Sequence, residues 1–441
     1  MPPQPESNPE VLILGAGIAG LAAARKLAQR GVRVLILEAR DRVGGRILSH
    51  TSPDGVTVEL GAEFVHGRAP ELWSLLKECG AQTIERDGSM LREEWNGALI
   101  EDKKMEEGDL FSPLSKLADL KGDDISFSEW LLQGKVPEKD RPALLGYVEG
   151  FNAADAGRIS ARALGVQQRA EDEIEGDRTW HIRGGYARLT DDLAQRVHQL
   201  GAGLKLNCVV SAVRWRPGEV RVETSLGEFH ASRCLVTLPL GVLQHANRER
   251  GLLFDPEPPA LAAARRLAMG NALRFTMIFR ERWWESSPHL NQDALRSMSF
   301  LFTSRRMPTV WWTPHPESQP FPTITGWVGG PPAATLAGRS AGDLGRSACR
   351  TLAEVFGLPT ERVLAALVST HAHDWSLDPF ARGAYSYVPV GALDAPAAIA
   401  QPDASTLFFA GEHTDVTGHW GTVHAALRSG LRAAGQILSA R

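Results

Sequence analysis

VLILGAGIAGLAAARKLAQRGVRVLILEARDRVGGRI, residues 11–47, is the stretch whose reading decides the fold class. An apolar strand, Val11 to Leu14, runs into Gly15, Gly17 and Gly20 and then into an Ala-rich helix. In this order of strand, tight turn and helix, each glycine has a physical task. Gly15 allows the turn, Gly17 lets backbone approach a pyrophosphate, and Gly20 permits close helix packing. The helix N-terminus then offers free N–H groups to the phosphates. A lone G-x-G-x-x-G is weak, because glycine-rich turns also occur for structural reasons alone. Here a second apolar strand, Val32 to Leu37, ends in Glu38, close to the spacing of an acid that hydrogen-bonds a ribose hydroxyl. The segment reads as a βαβ dinucleotide site of the kind that NAD and FAD share.

Outside this segment, composition narrows the choices. Lys and Arg total 48 against 52 Asp and Glu, a formal charge of −4, so no global basic field draws nucleic acid, and no nucleic-acid partner is expected. Cys79, Cys208, Cys234 and Cys349 are far apart, with no C-x-x-C spacing and no companion histidines. They read as reduced thiols in a cytoplasm, and no metal site is expected. The N-terminal MPPQPESNPE is polar and Pro-rich, a flexible arm rather than a signal peptide. No apolar run is long enough to span a bilayer, so no membrane association is expected. There is no tandem repeat or long low-complexity tract, and nothing that sets an oligomeric state. The 441 residues are enough for roughly two to three domains.

Directly after Glu38 come Ala39, Arg40 and RVGGR, Arg42 to Arg46, and from here the chain resembles the flavin-containing amine oxidase superfamily. That resemblance implies that Arg40, Gly45 and Arg46 hold the pyrophosphate of FAD, where two guanidinium forks suit bidentate anion binding. VELGAEFVHG, Val58 to Gly67, is similar to the family segment whose backbone passes the flavin ring, with Gly61 and Ala62 leaving room for the isoalloxazine and Glu63 in its surroundings. HIRGGYARLTDDLA, His181 to Ala194, looks like the helix that returns the chain to the FAD domain. LKLNCVVSAVRW, Leu204 to Trp215, reads as a strand, with Val210 matching the valine at the adenine end; RCLVTLPLGVL, Arg233 to Leu243, follows as the next signature. LFFAGEHTDVTGHWGTVHAALRSGLRAA, Leu407 to Ala434, resembles the closing strand and helix, where Gly411 and Glu412 meet the ribityl phosphate and Thr422 and Val423 begin the helix beneath the flavin.

Family motifs at the start, middle and end imply an α/β fold with a discontinuous Rossmann-like FAD-binding domain, expected at 1–75, 181–245 and 371–441. A mixed α+β substrate domain is expected at 76–180 and 246–370. FTMIFRERWW and TITGWVGG are strand-like, rich in β-branched and aromatic residues, whereas DDLAQRVHQL and AGDLGRSACRTLAEVF have helical periodicity.

HDWSLDPFARGAYSYVPVG, His373 to Gly391, resembles the active-site stretch of polyamine oxidases and of the lysine-specific histone demethylase. Tyr385 matches the tyrosine that walls the substrate beside the flavin, and Trp375 a tryptophan contacting the isoalloxazine. Aromatic faces fit a flat flavin, exclude water and steer an amine; both residues are also of the type that fills ordinary cores, and Phe380 reads equally as core. Where monoamine oxidases carry a cysteine bonded to the flavin, this chain has Ala384, so non-covalent FAD is expected. Their second cage tyrosine is matched by Thr422. His66 matches the histidine that animal-type polyamine oxidases place near the substrate amine, and histidine is able to accept the amine proton near neutral pH; a lone histidine is more often structural, and the match brings the two readings level. The run Glu85 to Asp109 has nine acidic and four basic residues, and EDEIEGD follows at Glu171 to Asp177. Such runs are usually solvated faces; the alternative is acidic walls that guide a cationic amine.

The resemblance implies that a deprotonated amine lies against the flavin and passes its α C–H hydride to flavin N5. The imine is then hydrolysed to an aldehyde, and dioxygen is reduced to hydrogen peroxide, with the protein orienting and desolvating the reactants. The alternatives are an L-amino acid oxidase, whose carboxylate-clamping arginine would fall at Phe64, a flavin-dependent desaturase or dehydrogenase, and a flavin-bound scaffold without turnover. Chromatin action is not expected, since no long helical insertion for partner binding is visible. The family's lysine near flavin N5 falls at Arg274, and no lysine follows Lys205. An arginine keeps the charge but does not give and regain a proton as an amine does, so oxygen reactivity is expected to be weakened or electrons to pass to another acceptor.

Overall fold

The computed structural model describes residues 9–103, 112–133, 136–303, 306–314 and 319–440. The opening segment folds as Val11–Leu14, helix Ile18–Ala28 and Val34–Leu37, and the two VLIL strands lie side by side and parallel. They are apolar at every position because both faces of the sheet are covered. Val11, Ile13, Val34 and Ile36 pack on the helices of one face, while Leu12, Leu14 and Leu37 enter a second core with Cys234, Val236 and Phe409. The sheet has five parallel strands in the order 203–205, 34–37, 11–14, 233–236, 407–409, so its members come from widely separated parts of the chain.

The closing helix Val423–Ser439 lies against helix Ile18–Ala28, and the contact depends on small residues. A Cβ on Gly430 would stand 2.2 Å from the Ala19 carbonyl oxygen, so only glycine lets the two backbones meet there.

The stretch 204–215 forms two strands rather than the one expected. Gly203–Lys205 closes the parallel sheet, the chain breaks through Asn207 at a positive φ of 53°, and Val210–Arg216 joins a separate four-stranded sheet with 219–224, 227–231 and 253–255. DDLAQRVHQL is helical as its periodicity predicts, within Ala187–Gln199, but that helix packs into the core of the parallel sheet. It therefore belongs to the cofactor side and says nothing about the mixed character of the substrate domain.

The second large element is a seven-stranded sheet in the order 367–372, 272–279, 323–329, 310–312, 298–302, 89–93, 99–101. FTMIFRERWW supplies most of its long strand Ala272–Phe279, next to the edge strand 367–372, and then a 3-10 turn that buries Trp283 and Trp284. AGDLGRSACRTLAEVF is the helix Ala341–Val355, capped by the Ser340 hydroxyl and packed on this sheet through Leu344, Ala348 and Leu352. A third body of helices, 127–132, 141–151 and 161–173, closes the remaining side. We propose a cofactor unit of 1–75, 181–245 and 371–441 and a substrate unit of 76–180 and 246–370, with strand 253–255 pairing back onto 210–216 and strand 367–372 running across the second boundary. No helix among the described residues is long and apolar enough to cross a membrane.

Candidate active site

Between the two large sheets lies one cavity of about 1390 Å³. That exceeds the range of roughly 300–1,000 Å³ usual for a single small-molecule pocket, and it is room for a dinucleotide with a substrate beside it. Tyr385, Trp375, His66, Arg274 and Thr422 line it, as do Gly15, Gly17, Glu38, Arg40, Gly45, Arg46, Gly61, Ala62, Glu63, Val210, Gly411, Glu412 and Val423. Gly20 faces away from it. A Cβ there would fall 2.1 Å from the Gly15 carbonyl oxygen, which is the helix-packing task its position predicts.

One end of the cavity has the glycine turn and open helix N-terminus that the sequence motif predicts for a dinucleotide cradle. Gly15 turns at φ +104°, and a Cβ on Gly17 would meet nothing within 4 Å, so the helix N-terminus is open to a phosphate. No side chain caps that helix. The buried Glu38 carboxylate accepts from the backbone N–H of Ala16 (2.7 Å) and of Arg40 (2.9 Å), and each oxygen keeps a lone pair for a ribose hydroxyl. Arg40 and Arg46 both reach the cavity, but each is already paired. Arg40 is bidentate to Asp378 (2.9 and 2.7 Å) and lies over Trp375 and Phe380. Arg46 donates to the Ala384 carbonyl (2.7 Å) and to Glu412 (2.9 Å). Arg42 spends its donors on the carbonyls of Val43, Gly45 and Ile47 and braces the glycine turn. Burial alone would raise the Glu412 carboxyl, but the Arg46 guanidinium beside it holds it below its ordinary value.

The middle of the cavity is a flat slot. Gly61 forms its floor, where a Cβ would stand 1.9 Å from the Arg46 carbonyl oxygen and 3.2 Å from the Trp375 ring. The Trp375 indole N–H is fixed by the Leu60 carbonyl at 2.8 Å. Across it, Thr422 caps the closing helix, accepting from the Ala425 N–H (3.2 Å) and donating to the His419 carbonyl (2.7 Å). Beyond the slot the wall is aromatic: Tyr147, Phe151, Phe300, Trp312, Trp327 and Tyr385. The Tyr385 hydroxyl donates to the Phe151 carbonyl at 2.5 Å, tying the 380s loop to the helix 141–151. His66 stands edge-on to Phe151, ring centres 5.6 Å apart, and burial pushes its pKa down to about 4, so the imidazole is uncharged at neutral pH.

Arg274 is not a free cation. Its Nη2 donates to Glu63 at 2.5 Å and its Nη1 to the Gly61 carbonyl at 2.9 Å. Glu63 also meets His181 Nε2 (3.0 Å) and accepts from the Trp312 indole (3.1 Å). Burial opposes ionisation of Glu63, yet Arg274 and His181 outweigh it and hold the carboxyl at about 2. His181, Trp312 and Asp378 are site residues that the sequence reading did not single out. Phe64, at the clamp position of an amino acid oxidase, packs among His66, His181 and Trp312 and offers no donor. Of the acidic runs, Glu93, Glu171, Asp172 and Asp177 reach the cavity, Glu93 already paired with Arg306 at 3.0 Å; residues 104–109 of the first run lie outside the described residues.

Known proteins share this architecture. The family model "Flavin containing amine oxidoreductase" matches residues 18–438. Lysine-specific histone demethylase 1 homolog 2 of Oryza sativa subsp. japonica is 30% identical over 98% of this chain and 57% of its own length. Lysine-specific histone demethylase 2 of Homo sapiens is 28% identical over 99% and 54%. The chain thus spans little more than half the length of these relatives. Among solved structures, a putrescine oxidase double mutant superposes with a TM-score of 0.83 at 22% identity, covering 98% of this chain and 99% of that one. Cyclohexylamine oxidase from Brevibacterium oxydans superposes with a TM-score of 0.81 at 20% identity, with the same coverage.

Proposed function

This chain belongs to the flavin-containing amine oxidoreductases, and from that premise we propose that it oxidises the C–N bond of a small amine with non-covalent FAD. The observation that carries this reading is a single cavity in which the dinucleotide cradle opens onto an aromatic wall holding an uncharged imidazole, His66. FAD, when bound, supplies the two-electron acceptor for the substrate's α C–H bond. FAD rather than a mononucleotide is supported by Glu38 and the open helix N-terminus, which suit the adenosine half. Non-covalent binding is supported by Ala384, which has no thiol.

The chain's own residues do the rest. Tyr385 and Trp375 wall the slot and exclude water, so an amine is held by its apolar body against flat rings. His66 carries no charge and is able to accept a hydrogen bond from an N–H of the substrate, which favours the neutral amine whose lone pair assists C–H cleavage. Arg274 clamps Gly61 and Glu63 beside the flavin slot. Its charge is already balanced by Glu63, so it would give little stabilisation to an anion formed beside it, and a slow reaction with dioxygen is the expected consequence. The expected products are an aldehyde and hydrogen peroxide. No strongly basic balance favours a nucleic-acid partner, and the four free cysteines fit a reducing, cytoplasmic compartment.

The test is a peroxide assay of purified holoenzyme across monoamines, diamines, polyamines and amino acids, repeated with an artificial electron acceptor. Turnover of amines but not amino acids is expected, faster with the artificial acceptor. Turnover of amino acids alone would move the assignment to an amino acid oxidase, and turnover of nothing nitrogenous would remove it.

A further inference from the structure

Glu171 is a buried acid that the chemistry above leaves unused. It sits on helix Ala161–Glu173 and lines the cavity, yet neither carboxyl oxygen has a hydrogen-bond partner within the protein. The loop that follows closes over it: the Gly176 N–H donates to the Glu171 carbonyl (2.8 Å), and a Cβ on Gly176 would fall 2.4 Å from Oε2. Facing it from the start of the closing helix is His424, 1% exposed, whose Nε2 is also without a partner. Nitrogen atoms of His424 and His419 and an oxygen of Glu171 lie within 4.8 Å of one another.

Two histidines and a glutamate are metal-binding types, but His419 is not available. Its Nε2 donates to the Ala170 carbonyl at 2.9 Å, and its Nδ1 is met by the Thr417 hydroxyl (2.9 Å) and by an Arg428 guanidinium N–H (3.1 Å). A carbonyl only accepts, so Nε2 carries the proton, Nδ1 accepts, and the ring is neutral with both nitrogens in use. What remains is the Glu171 carboxylate and His424 Nε2, all buried and without a partner; with the His424 proton on Nδ1 they are all acceptors, and a single proton on the carboxylate faces the nitrogen.

We propose that Glu171, backed by His424, is the internal proton acceptor that converts the incoming ammonium to the neutral amine. The inference rests on the amine-oxidising reading. The step breaks one N–H bond of the ammonium and forms one O–H bond on the carboxylate; the nitrogen keeps the electron pair, and nothing is oxidised. The new O–H lies within reach of a small movement of the His424 ring, one nitrogen of which is within 4.8 Å of a Glu171 oxygen, so the proton stays on a buried carboxyl inside the protein. The surroundings agree in sign. Burial, with Asp172 and Asp415 nearby, pushes the Glu171 carboxyl up to about 7 against the opposing pull of Arg428. Burial, with the Arg428 guanidinium nearby, keeps His424 from taking the proton itself. Tyr147, whose phenol burial pushes up, completes the wall.

The test counts protons. The holoenzyme is mixed in weak buffer with an amine that lacks an α C–H, a tert-alkylamine homologue of a turned-over substrate, and release is followed with an indicator dye. At pH 8, where Glu171 is ionised, wild type is expected to bind the amine with almost no proton released, and Glu171→Gln with about one per site. At pH 6, where Glu171 is already protonated, wild type is expected to release about one as well. The same count in wild type and Glu171→Gln at pH 8 overturns the proposal. Should Glu171→Gln fail to fold or bind, infrared difference spectra of wild type decide: a protonated-carboxyl C=O band appearing on amine binding supports it, and no such band overturns it. If no amine is turned over, the reading of the enzyme fails instead, which this count leaves distinct.

Discussion

Arg274 and Glu63 form a buried ion pair at the flavin-facing slot, the arginine 4% exposed with its Nε unpartnered. Removing one member of such a pair leaves the other charge uncompensated and costs roughly 3–5 kcal/mol. Arg274→Met is therefore expected to lower the thermal unfolding temperature clearly, and Arg274→Lys to lower it less. If the balanced guanidinium is also what slows dioxygen, Arg274→Lys reoxidises several-fold faster in stopped-flow mixing of reduced enzyme with dioxygen; equal rates would take the position out of the oxygen reaction. The pH dependence has a definite sign. Glu63 is depressed from an ordinary 4.5 to about 2, so its stabilising contribution is complete above 4.5 and is lost as pH falls from there through 2. Acid titrations of wild type and Glu63→Gln should converge across that window, and parallel curves would show that the pair does not govern it.

At the scale of elements, the strand 11–14, its glycine turn and the helix behind it form the proposed dinucleotide cradle, while the bend at Gly61 forms the floor of the proposed flavin slot. Gly61→Ala puts a Cβ where the Arg46 carbonyl oxygen already lies, so the slot must open and flavin occupancy should fall while far-UV circular dichroism stays native. A fully yellow Gly61→Ala protein would show that the slot tolerates the shift. This element is local, and so it was legible: G-x-G-x-x-G, Glu38 and R-V-G-G-R lie within about one βαβ unit. The cluster around Glu63 was not. Its partners His181, Arg274 and Trp312 stand 118, 211 and 249 positions away, and no periodicity links such residues. The break at Asn207 was missed because the residues on both sides read as one β-rich run. Glu171 was read only as part of a charged run, since burial of one acid among exposed neighbours depends on how the loop at Gly176 closes.

Across the whole molecule, the parallel sheet gathers strands from both ends of the chain and the seven-stranded sheet supplies much of the aromatic wall, so the cavity exists only in the complete fold. The family motifs made that architecture readable, because most of them stand in segments that line the same cavity. The shape of the substrate side was less readable, being set by which aromatic residues of 141–151, 298–302, 310–312 and 323–329 face inward. The account's central claim is that this cavity brings an amine to a flavin. Anaerobic stopped-flow mixing of the yellow holoenzyme with a panel of amines tests it most directly. The account predicts saturable bleaching of the flavin by at least one amine, slowed far more than stability is lowered in Tyr385→Ala. Flavin that stays oxidised with every amine, yet bleaches with an amino acid or a ring substrate, would contradict it.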